Sequence, residues 1–309
     1  MVEADATHSP SMMPISSGSL RLDLAIGTGG IPRGQIIEIS GLPESGKTSL
    51  CLQVIIEAQK TGEICAWVDS DHTFTAQYAD QCGVTIDRLY LCEPSNAEQA
   101  LEITRILVLS GALAVIVIDS VDNLVTRHEM NTPLGKLPAD KMHHILSQWL
   151  HRLALECCQT GTTLIFTSRP PAHMSAVYHE LKANPARLAL PMQSAIRLKM
   201  RQLQSSHGTP SEFEQRIEVK VLKNSLNPCF KSADVDIIIN KGVNNTGEIF
   251  DMGVDLNLLS KKGSDLLYQD HRLGESREKA IVFLSQNPDL AGEIEQVIRQ
   301  KLFRFAQYG

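Results

Sequence analysis

Residues 41–48 read Gly-Leu-Pro-Glu-Ser-Gly-Lys-Thr, which is a complete G-x-x-x-x-G-K-[ST] phosphate-binding loop. The apolar run Gln35–Ile39 leads into the loop as a predicted strand, and Thr48–Lys60 leads out of it as a predicted helix. This order lets backbone N–H groups surround phosphate oxygens at the positive end of a helix dipole. The chain is therefore predicted to bind a nucleoside triphosphate. The residues assigned to the nucleotide are Gly41, Leu42, Pro43, Glu44, Ser45, Gly46, Lys47, Thr48 and Ser49.

The composition is that of a globular protein, with 43% hydrophobic and 21% charged residues. A net charge of −6 argues against coating nucleic acid by bulk electrostatics, although a local basic groove is compatible with it. Only 5% of the residues are aromatic, so base-stacking platforms for single strands are not expected.

The seven cysteines are scattered and form no C-x-x-C pair, which argues against a zinc site. Reduced thiols and a cytoplasmic location are the simplest expectation. The sequence shows no signal peptide and no apolar run long enough to span a membrane, so no membrane association is expected.

From about Gly18 to Ser168, short apolar runs alternate with amphipathic stretches, which predicts an α/β fold with a mainly parallel sheet. Several runs are apolar nearly throughout, as expected for strands buried on both faces. The predicted strands are Ile36–Ile39, Ile64–Asp69, Leu89–Cys92, Leu113–Asp119 and Thr163–Thr167. The predicted helices are Thr48–Lys60, Ala76–Cys82, Ala97–Leu109 and Asp140–Cys158.

The pattern changes after Ser168. The proline-containing segment Arg169–Gln193 is interpreted as an irregular loop, and Gly242–Gly247 as a break. Later, partly exposed strands are predicted at Ala195–Leu203, Glu214–Lys223 and Val235–Ile239. We expect a flexible tail over residues 1–14, an ATPase core over 15–246 and a small C-terminal domain over 247–309, whose last helix starts after Asn287.

Two acidic positions follow apolar strands. Asp119 ends the run Val115–Ile118, where a carboxylate would lie beside the phosphate loop and help to hold Mg²⁺. Asp71 follows the strand that ends at Asp69, and a carboxylate there could activate water near the γ-phosphate. The alternative is that Asp69 and Asp71 merely end a strand and cap the next helix.

Seven segments, in order and with similar spacing, resemble the bacterial RecA recombinase family. They are Ile15–Asp23, the phosphate loop, Val68–His72, Glu98–Ile103, Val115–Val121, Val219–Asn224 and Gly247–Gly253. The resemblance runs from about Ile15 to the C-terminus. It implies a RecA-type P-loop NTPase core, with a mainly parallel sheet and helices on both faces, followed by a small C-terminal α/β domain. It also implies an ATP-dependent filament that exchanges DNA strands.

The resemblance assigns roles to individual positions. Lys47, Thr48 and Asp119 match the family's phosphate and Mg²⁺ residues, and Asp71 stands at the position of the catalytic acid. Tyr78 matches the aromatic residue that stacks on adenine. Lys223 matches the first of two lysines that reach the neighbouring subunit's nucleotide.

The sequence also departs from the family. The catalytic acid is usually Glu, one methylene longer than Asp71, and Thr167–Arg169 replaces the stretch with the glutamine that senses the γ-phosphate. Ser225 replaces the second interface lysine, and the segment 170–187 lacks the family's glycines. Only 14 residues precede Ile15, so the helical arm that packs on the adjacent subunit is not expected.

Five basic residues are candidate DNA contacts, because phosphate contacts need only charges on a suitably placed loop. They are Lys136, Lys141, Arg169, Lys182 and Arg187. The alternative is that they are solvated charges on surface loops.

Two main hypotheses remain. The first is a divergent RecA-like ATPase, with weak hydrolysis, that binds single-stranded DNA in homologous recombination, DNA repair or the response to DNA damage. The second is a non-catalytic regulator that keeps ATP and binds a protein partner, such as a recombinase or a polymerase. ATP and Mg²⁺ are the expected ligands, and self-association is the alternative to a partner protein. A small-molecule kinase is disfavoured because no lid-like arginine cluster lies between the core strands.

Overall fold

A computed structural model describes residues 13–132, 141–170, 189–203, 214–227, 231–262 and 265–303. Nine described strands form one sheet in the order β3-β2-β4-β5-β1-β6-β7-β8-β9. Their bounds are β1 Ile36–Gly41, β2 Ile64–Asp69, β3 Leu89–Cys92, β4 Leu113–Asp119, β5 Thr163–Ser168, β6 Ile196–Gln202, β7 Glu214–Asn224, β8 Ser232–Ile238 and β9 Gly242–Val243.

The first six strands of this order run parallel to one another, and β7, β8 and β9 extend the sheet in antiparallel fashion. Strands β1 and β5 are buried along their whole length, and β2 and β4 nearly so, because helices cover both faces of the sheet. The predicted α/β fold with a mainly parallel sheet is confirmed.

Helices flank the sheet, and several begin at side-chain caps such as Ser19 and Asn96, whose oxygens accept backbone N–H groups. The described helices are α1 Leu20–Ile26, α2 Lys47–Lys60, α3 Ala76–Cys82, α4 Ala97–Leu109, α5 Arg127–Met130, α6 Lys141–Thr160, α7 Ala189–Gln193, α8 Thr246–Asp255, α9 Arg277–Gln286 and α10 Pro288–Phe303. No helix of the described ranges is long and apolar enough to cross a membrane.

Three features correct the sequence-based assignment. The segment interpreted as an irregular loop, Arg169–Gln193, ends in helix α7, since Ala189 and Leu190 pack into the apolar layer beneath α6. The break at Gly242–Gly247 contains β9, which pairs with β8, and the first residues of α8. Helix α1 was not anticipated, because its seven residues are too few for a clear periodic pattern.

The C-terminal residues form a small unit of α8, α9, α10 and a three-stranded antiparallel sheet. Its strands are β10 Leu259–Lys262, β11 Asp265–Tyr268 and β12 His271–Gly274. Leu20 of α1 is fully buried in the same apolar cluster as Ile249 and Ile294, so α1 belongs to the packing of both parts. The domain limits at residues 14 and 246 stay a prediction, and residues 1–12 of the predicted tail lie outside the described ranges.

Candidate nucleotide site

The phosphate loop turns tightly between β1 and α2. A Cβ atom on Gly41 would lie 2.2 Å from the Ser45 hydroxyl oxygen, which excludes a larger residue. Gly46 has φ +84°, and a Cβ atom there would lie 2.7 Å from Ile217 Cδ1. Close packing therefore requires glycine at both positions, and the backbone conformation requires it at Gly46 as well.

Lys47 lies over the loop that precedes it. Its ammonium group donates to the carbonyl oxygens of Gly41 and Leu42 at 2.8 and 2.9 Å. Burial lowers the pKa of Lys47, the negative charge of Asp119 opposes this, and the positive charge of Arg169 lowers the pKa further. Among the described residues the ammonium group is thus hydrogen-bonded only by backbone carbonyls, which leaves its charge available to bind an anion.

Asp119 joins the phosphate loop to the end of β4. The Thr48 hydroxyl donates to Asp119 Oδ2 at 2.9 Å, and the Thr167 hydroxyl donates to the other oxygen. Burial raises the pKa of Asp119, whereas the hydrogen bonds from Thr167 and Thr48 lower it. Strand β4 lies beside β2 and β5, so the carboxyl ends of these parallel strands bring the two motif residues together.

The site residues fit a nucleoside triphosphate with Mg²⁺. Thr48 and Asp119 present a hydroxyl and a carboxylate oxygen, the hard donors that Mg²⁺ prefers. The Ser45 hydroxyl is buried within the loop and has no hydrogen-bond partner among the residues that the structure describes. Among the described residues no cluster of three or more His, Cys, Asp or Glu side chains forms a metal site, which leaves this small oxygen pair as the magnesium candidate.

The two acids at the end of β2 have different hydrogen-bond partners. Asp69 is buried and accepts the backbone N–H groups of Asp71 and Phe74 at 3.2 and 2.8 Å, so it holds the turn that follows the strand. Asp71 is half-buried and accepts from the backbone N–H and the hydroxyl of Ser120 at 3.2 and 3.3 Å. Asp71 therefore faces the residue that follows Asp119, whereas Asp69 acts within its own loop.

Tyr78 lies on α3 above the start of α2. Its hydroxyl is 3.3 Å from the Ser49 hydroxyl, and burial raises its pKa. Together with Phe74 it lines a narrow pocket that reaches Thr48 and Asp119. The structure thus brings the predicted nucleotide residues of the phosphate loop, β4 and α3 to one opening.

Lys223 lies at the far side of β1, on β7. Its ammonium group donates to the carbonyl oxygens of Pro191 and Met192 at 3.2 and 2.7 Å, so it binds the C-terminal turn of α7. Burial lowers its pKa, and the charge of Arg197 contributes. Ser225, two residues on, is exposed and uses its backbone N–H to bind Ala195. Among the described residues, the ammonium group of Lys223 therefore binds α7 rather than the phosphate loop of its own chain.

Sequence reasoning missed a buried polar cluster next to the phosphate loop. The carboxylate of Glu38 is 5% exposed, accepts the Ser168 hydroxyl at 2.9 Å and forms an ion pair with Arg197. The signal was present, because Glu38 is an isolated acid within an apolar strand, Ile36–Ile39. Such an acid must be paired when it is buried.

The predicted DNA contacts are described only in part. Lys136, Lys182 and Arg187 lie outside the described ranges, and Lys141 begins α6 with its side chain also outside them. Arg169 is exposed directly after β5, and its backbone N–H donates to Asp122 at 2.6 Å. It lies next to the phosphate loop rather than apart from it.

Family models and relatives both place RecA proteins among the proteins that this chain resembles. A family model for the RecA N-terminal domain matches residues 2–244, and one for the RecA C-terminal domain matches residues 247–303. The RecA protein of Rhizobium leguminosarum bv. trifolii (strain WSM2304) is 41% identical over 286 residues, which cover 93% of this chain and 79% of the relative. That of Rickettsia canadensis (strain McKiel) is 37% identical over 287 residues, covering 93% and 84%.

A solved structure supports the fold alone. The crystal structure of the RadB recombinase superimposes with a TM-score of 0.55 at 19% identity, covering 74% of this chain and 98% of that chain.

Proposed function

The chain belongs to the RecA family, and from this we propose that it is a RecA-like ATP-binding protein that acts on DNA in homologous recombination or DNA repair. The observation that carries the proposal is the contact between Thr48 and Asp119, with Lys47 held over the glycine loop beside them. These three side chains come from two distant segments and form one polar opening.

In this proposal the backbone N–H groups of the phosphate loop and the Lys47 ammonium group bind the phosphates of ATP. The Thr48 hydroxyl and the Asp119 carboxylate hold Mg²⁺, directly or through its water shell. Tyr78 and Phe74, which line the neighbouring pocket, contact the adenosine part. When bound, Mg²⁺ neutralises phosphate charge and makes the terminal phosphorus easier to attack.

Hydrolysis is expected to be slow. Asp71 is the predicted catalytic acid, but its carboxylate already accepts two hydrogen bonds from Ser120. A base must reach the proton that it abstracts, and a misplacement of about 1 Å costs about 100-fold in rate. We therefore propose ATP binding with weak turnover.

Single-stranded DNA is the proposed partner, and self-association through the side that carries Lys223 is the proposed assembly. Arg169 and the other predicted basic residues remain candidates for phosphate contacts. The protein is proposed to act in the cytoplasm.

A second function is favoured by one observation. Lys223, proposed to reach a neighbouring nucleotide, instead binds carbonyl oxygens of its own α7, and Ser225 cannot replace a second lysine. A RecA-like regulator that binds ATP and a protein partner, such as a recombinase or a polymerase, would keep the phosphate loop without such communication between subunits.

The test measures ATP hydrolysis with and without single-stranded DNA, together with nucleotide affinity by titration calorimetry. Lys47→Ala is the blank, and Lys60→Ala, on an exposed lysine at the other end of α2, is the matched control. We expect Lys47→Ala to lose nucleotide affinity by at least about 100-fold, because it removes a charged hydrogen bond to phosphate.

Stimulation of hydrolysis by DNA supports the recombination protein. Nucleotide binding without any stimulation supports the regulator instead. Equal affinity of wild type and Lys47→Ala for ATP overturns both.

A further inference from the structure

Each oxygen of the Asp119 carboxylate accepts a hydroxyl group, and the two hydroxyl groups come from different elements. The Thr48 hydroxyl, on the first turn of α2, donates to Oδ2 at 2.9 Å, and Thr48 is exposed at the opening. The Thr167 hydroxyl, near the end of β5, donates to Oδ1, and Thr167 is 0% exposed. Asp119 is therefore bound by one residue that faces the opening and by one that is fully buried.

The register of the parallel sheet explains the contact with Thr167. Strands β4 and β5 pair as far as Ile118 and Phe166, and β5 continues to pair with β1 beyond that point. Asp119 and Thr167 each follow this last pair by one residue. Their side chains therefore lie next to each other on the same face of neighbouring strands.

The Thr167 hydroxyl is buried in apolar surroundings. Ile165, two residues earlier on the same face of β5, packs in the apolar cluster that contains residues of α2. A buried hydroxyl is unfavourable unless it is hydrogen-bonded. Its two acceptors are the Asp119 carboxylate and the carbonyl oxygen of Ile118, which lies at the longer distance of 3.5 Å. The Thr167 hydroxyl is therefore used mainly to bind Asp119.

A second hydrogen bond fixes the orientation of the carboxylate. The terminal torsion of an Asp side chain has broad energy minima, so a carboxylate bound by Thr48 alone could rotate. Mg²⁺ requires near-octahedral coordination at short distances. Groups that hydrogen-bond a metal ligand set its orientation, and their loss typically lowers metal affinity by about 10- to 100-fold.

We propose that Thr167 is a positioning residue of the magnesium site, which fixes the carboxylate of Asp119 and contacts neither the ion nor the nucleotide. This inference rests on the proposed function, in which Thr48 and Asp119 hold Mg²⁺. Because Thr167 orders Asp119 before the ion binds, less conformational freedom is lost on binding. The preference for Mg²⁺ over Ca²⁺ also depends on Thr167, since Ca²⁺ accepts more flexible coordination.

The experiment measures binding of a fluorescent, non-hydrolysable ATP analogue while the concentration of Mg²⁺ or Ca²⁺ is varied, and also in EDTA. Thr167→Val removes the hydroxyl and keeps the shape of the side chain. We expect it to raise the Mg²⁺ concentration at half-saturation by about 10- to 100-fold, and the Ca²⁺ concentration by less. Affinity in EDTA should stay within about 2-fold of wild type, because no ion is then held.

Thr163→Val is the matched control. Thr163 lies on the same face of β5, is also 0% exposed, and donates its hydroxyl to the carbonyl oxygen of Pro32 at 3.1 Å. Thr167→Ser and Thr167→Ala form a second pair, because both lose the methyl group and only serine keeps the hydroxyl. Thr163→Val and Thr167→Ser should keep the wild-type dependence on Mg²⁺, and Thr167→Ala should not. This second pair decides the result if circular dichroism shows that Thr167→Val does not fold.

The outcomes separate this inference from the proposed function. Equal Mg²⁺ half-saturation in wild type and Thr167→Val overturns the inference and leaves the proposed function standing. An equal rise in Thr163→Val also overturns it, because the packing of β5 would then matter rather than the contact with Asp119. The same holds if Thr167→Val weakens binding equally with Mg²⁺, with Ca²⁺ and in EDTA. If wild type and Lys47→Ala bind the analogue equally well, the proposed function itself fails.

Discussion

Two polar regions of this molecule are built from similar side chains but are completed in different ways. We call Lys47, Thr48 and Asp119 the open cluster, because Thr48 and Asp119 line an opening and the neighbouring Lys47 ammonium group has no anionic hydrogen-bond partner within the described chain. At the junction between α1 and the C-terminal helices, Ser16, Ser17, Asp23 and Arg299, together with Ser19 and Glu248, form the closed cluster.

The two clusters differ in how completely their polar side chains are hydrogen-bonded. Asp23 is fully buried and accepts the Ser17 N–H at 2.9 Å and the Ser17 hydroxyl at 2.6 Å, while Arg299 binds it at 2.8 Å. Within the described part of the chain, the hydrogen-bond partners of Lys47 in the open cluster are carbonyl oxygens only. A cluster whose polar groups are all hydrogen-bonded to one another holds two segments together, whereas a cluster with unpaired charges can bind a ligand. Substitutions should therefore affect stability in one cluster and affinity in the other.

The largest effect on stability is expected for Arg299→Ala. It leaves the buried Asp23 carboxylate without its counter-charge, which costs about 3–5 kcal/mol when one partner of a buried pair is removed. Burial already raises the pKa of Asp23, and Arg299 is the main charge that opposes this. Urea unfolding monitored by circular dichroism measures the loss of the free energy of unfolding.

Arg277→Ala is the matched control, because Arg277 pairs with Asp251 at 2.8 Å with its own side chain 50% exposed. An exposed pair contributes no more than about 1 kcal/mol. A second variant, Asp23→Asn combined with Arg299→Met, should cost less than Arg299→Ala, since no buried charge is then left unpaired. Equal losses for Arg299→Ala and Arg277→Ala would contradict the description of the cluster as closed.

The pH dependence of the closed cluster is expected to be the next largest effect. Burial raises the pKa of Glu248 to about 7, against hydrogen bonds from Arg21 and Ser19 that lower it. A carboxyl group with a raised pKa in the folded state stabilises the protein fully below its unfolded value of 4.5, and this stabilisation is lost as the pH rises through about 7. The shift corresponds to about 3 kcal/mol between these limits.

Glu248→Gln keeps the acceptor for the Ser19 hydroxyl but does not titrate. We expect its free energy of unfolding to vary much less than that of wild type between pH 4.5 and 7.5, with Glu278→Gln, on an exposed helix position, as the control. A wild-type profile that stays flat over this range would show that Glu248 is as acidic in the folded protein as in the unfolded one.

The open cluster should behave in the opposite way. Asp119→Asn removes a carboxylate whose pKa is raised by burial, so the free energy of unfolding should change by less than about 1 kcal/mol or increase. Affinity for the Mg²⁺ complex of the nucleotide should fall by about 10-fold or more, because an amide is a poorer ligand for Mg²⁺ than a carboxylate. Titration with and without EDTA measures this. A variant that unfolds more easily but binds the complex normally would place Asp119 with the closed cluster.

The sequence was sufficient to predict that Lys47, Thr48 and Asp119 lie together, because each of them belongs to a continuous motif. The loop residues 41–48 are consecutive, and Asp119 ends an apolar run whose period marks it as a buried strand. The parallel sheet brings the phosphate loop and Asp119 together, and the α/β alternation of the sequence predicts this sheet as well.

The closed cluster could not be predicted in the same way. Ser19 and Glu248 are separated by 229 residues, and Ser16 and Arg299 by 283, so no local pattern links them. Short elements such as α1 and α7 also gave no periodic signal, since each is shorter than two full turns of helix. Contacts between distant segments depend on tertiary packing, which a single sequence does not reveal.

The smallest effect is expected at Ser168, which belongs to neither cluster but lies next to the open one. Ser168→Ala removes one hydrogen bond to Glu38 at 2.9 Å, and the carboxylate keeps its ion pair with Arg197. The loss should be about 1 kcal/mol in the free energy of unfolding, compared with nearly none for Ser285→Ala, whose exposed hydroxyl bonds only its own helix. Measuring nucleotide affinity of the same variant sharpens the comparison. If stability falls and affinity stays constant, Glu38 and Ser168 form a second closed cluster. If affinity for the triphosphate falls as well, the end of β5 must be held in place for the nucleotide to bind, and structural support and ligand binding are then coupled through one strand.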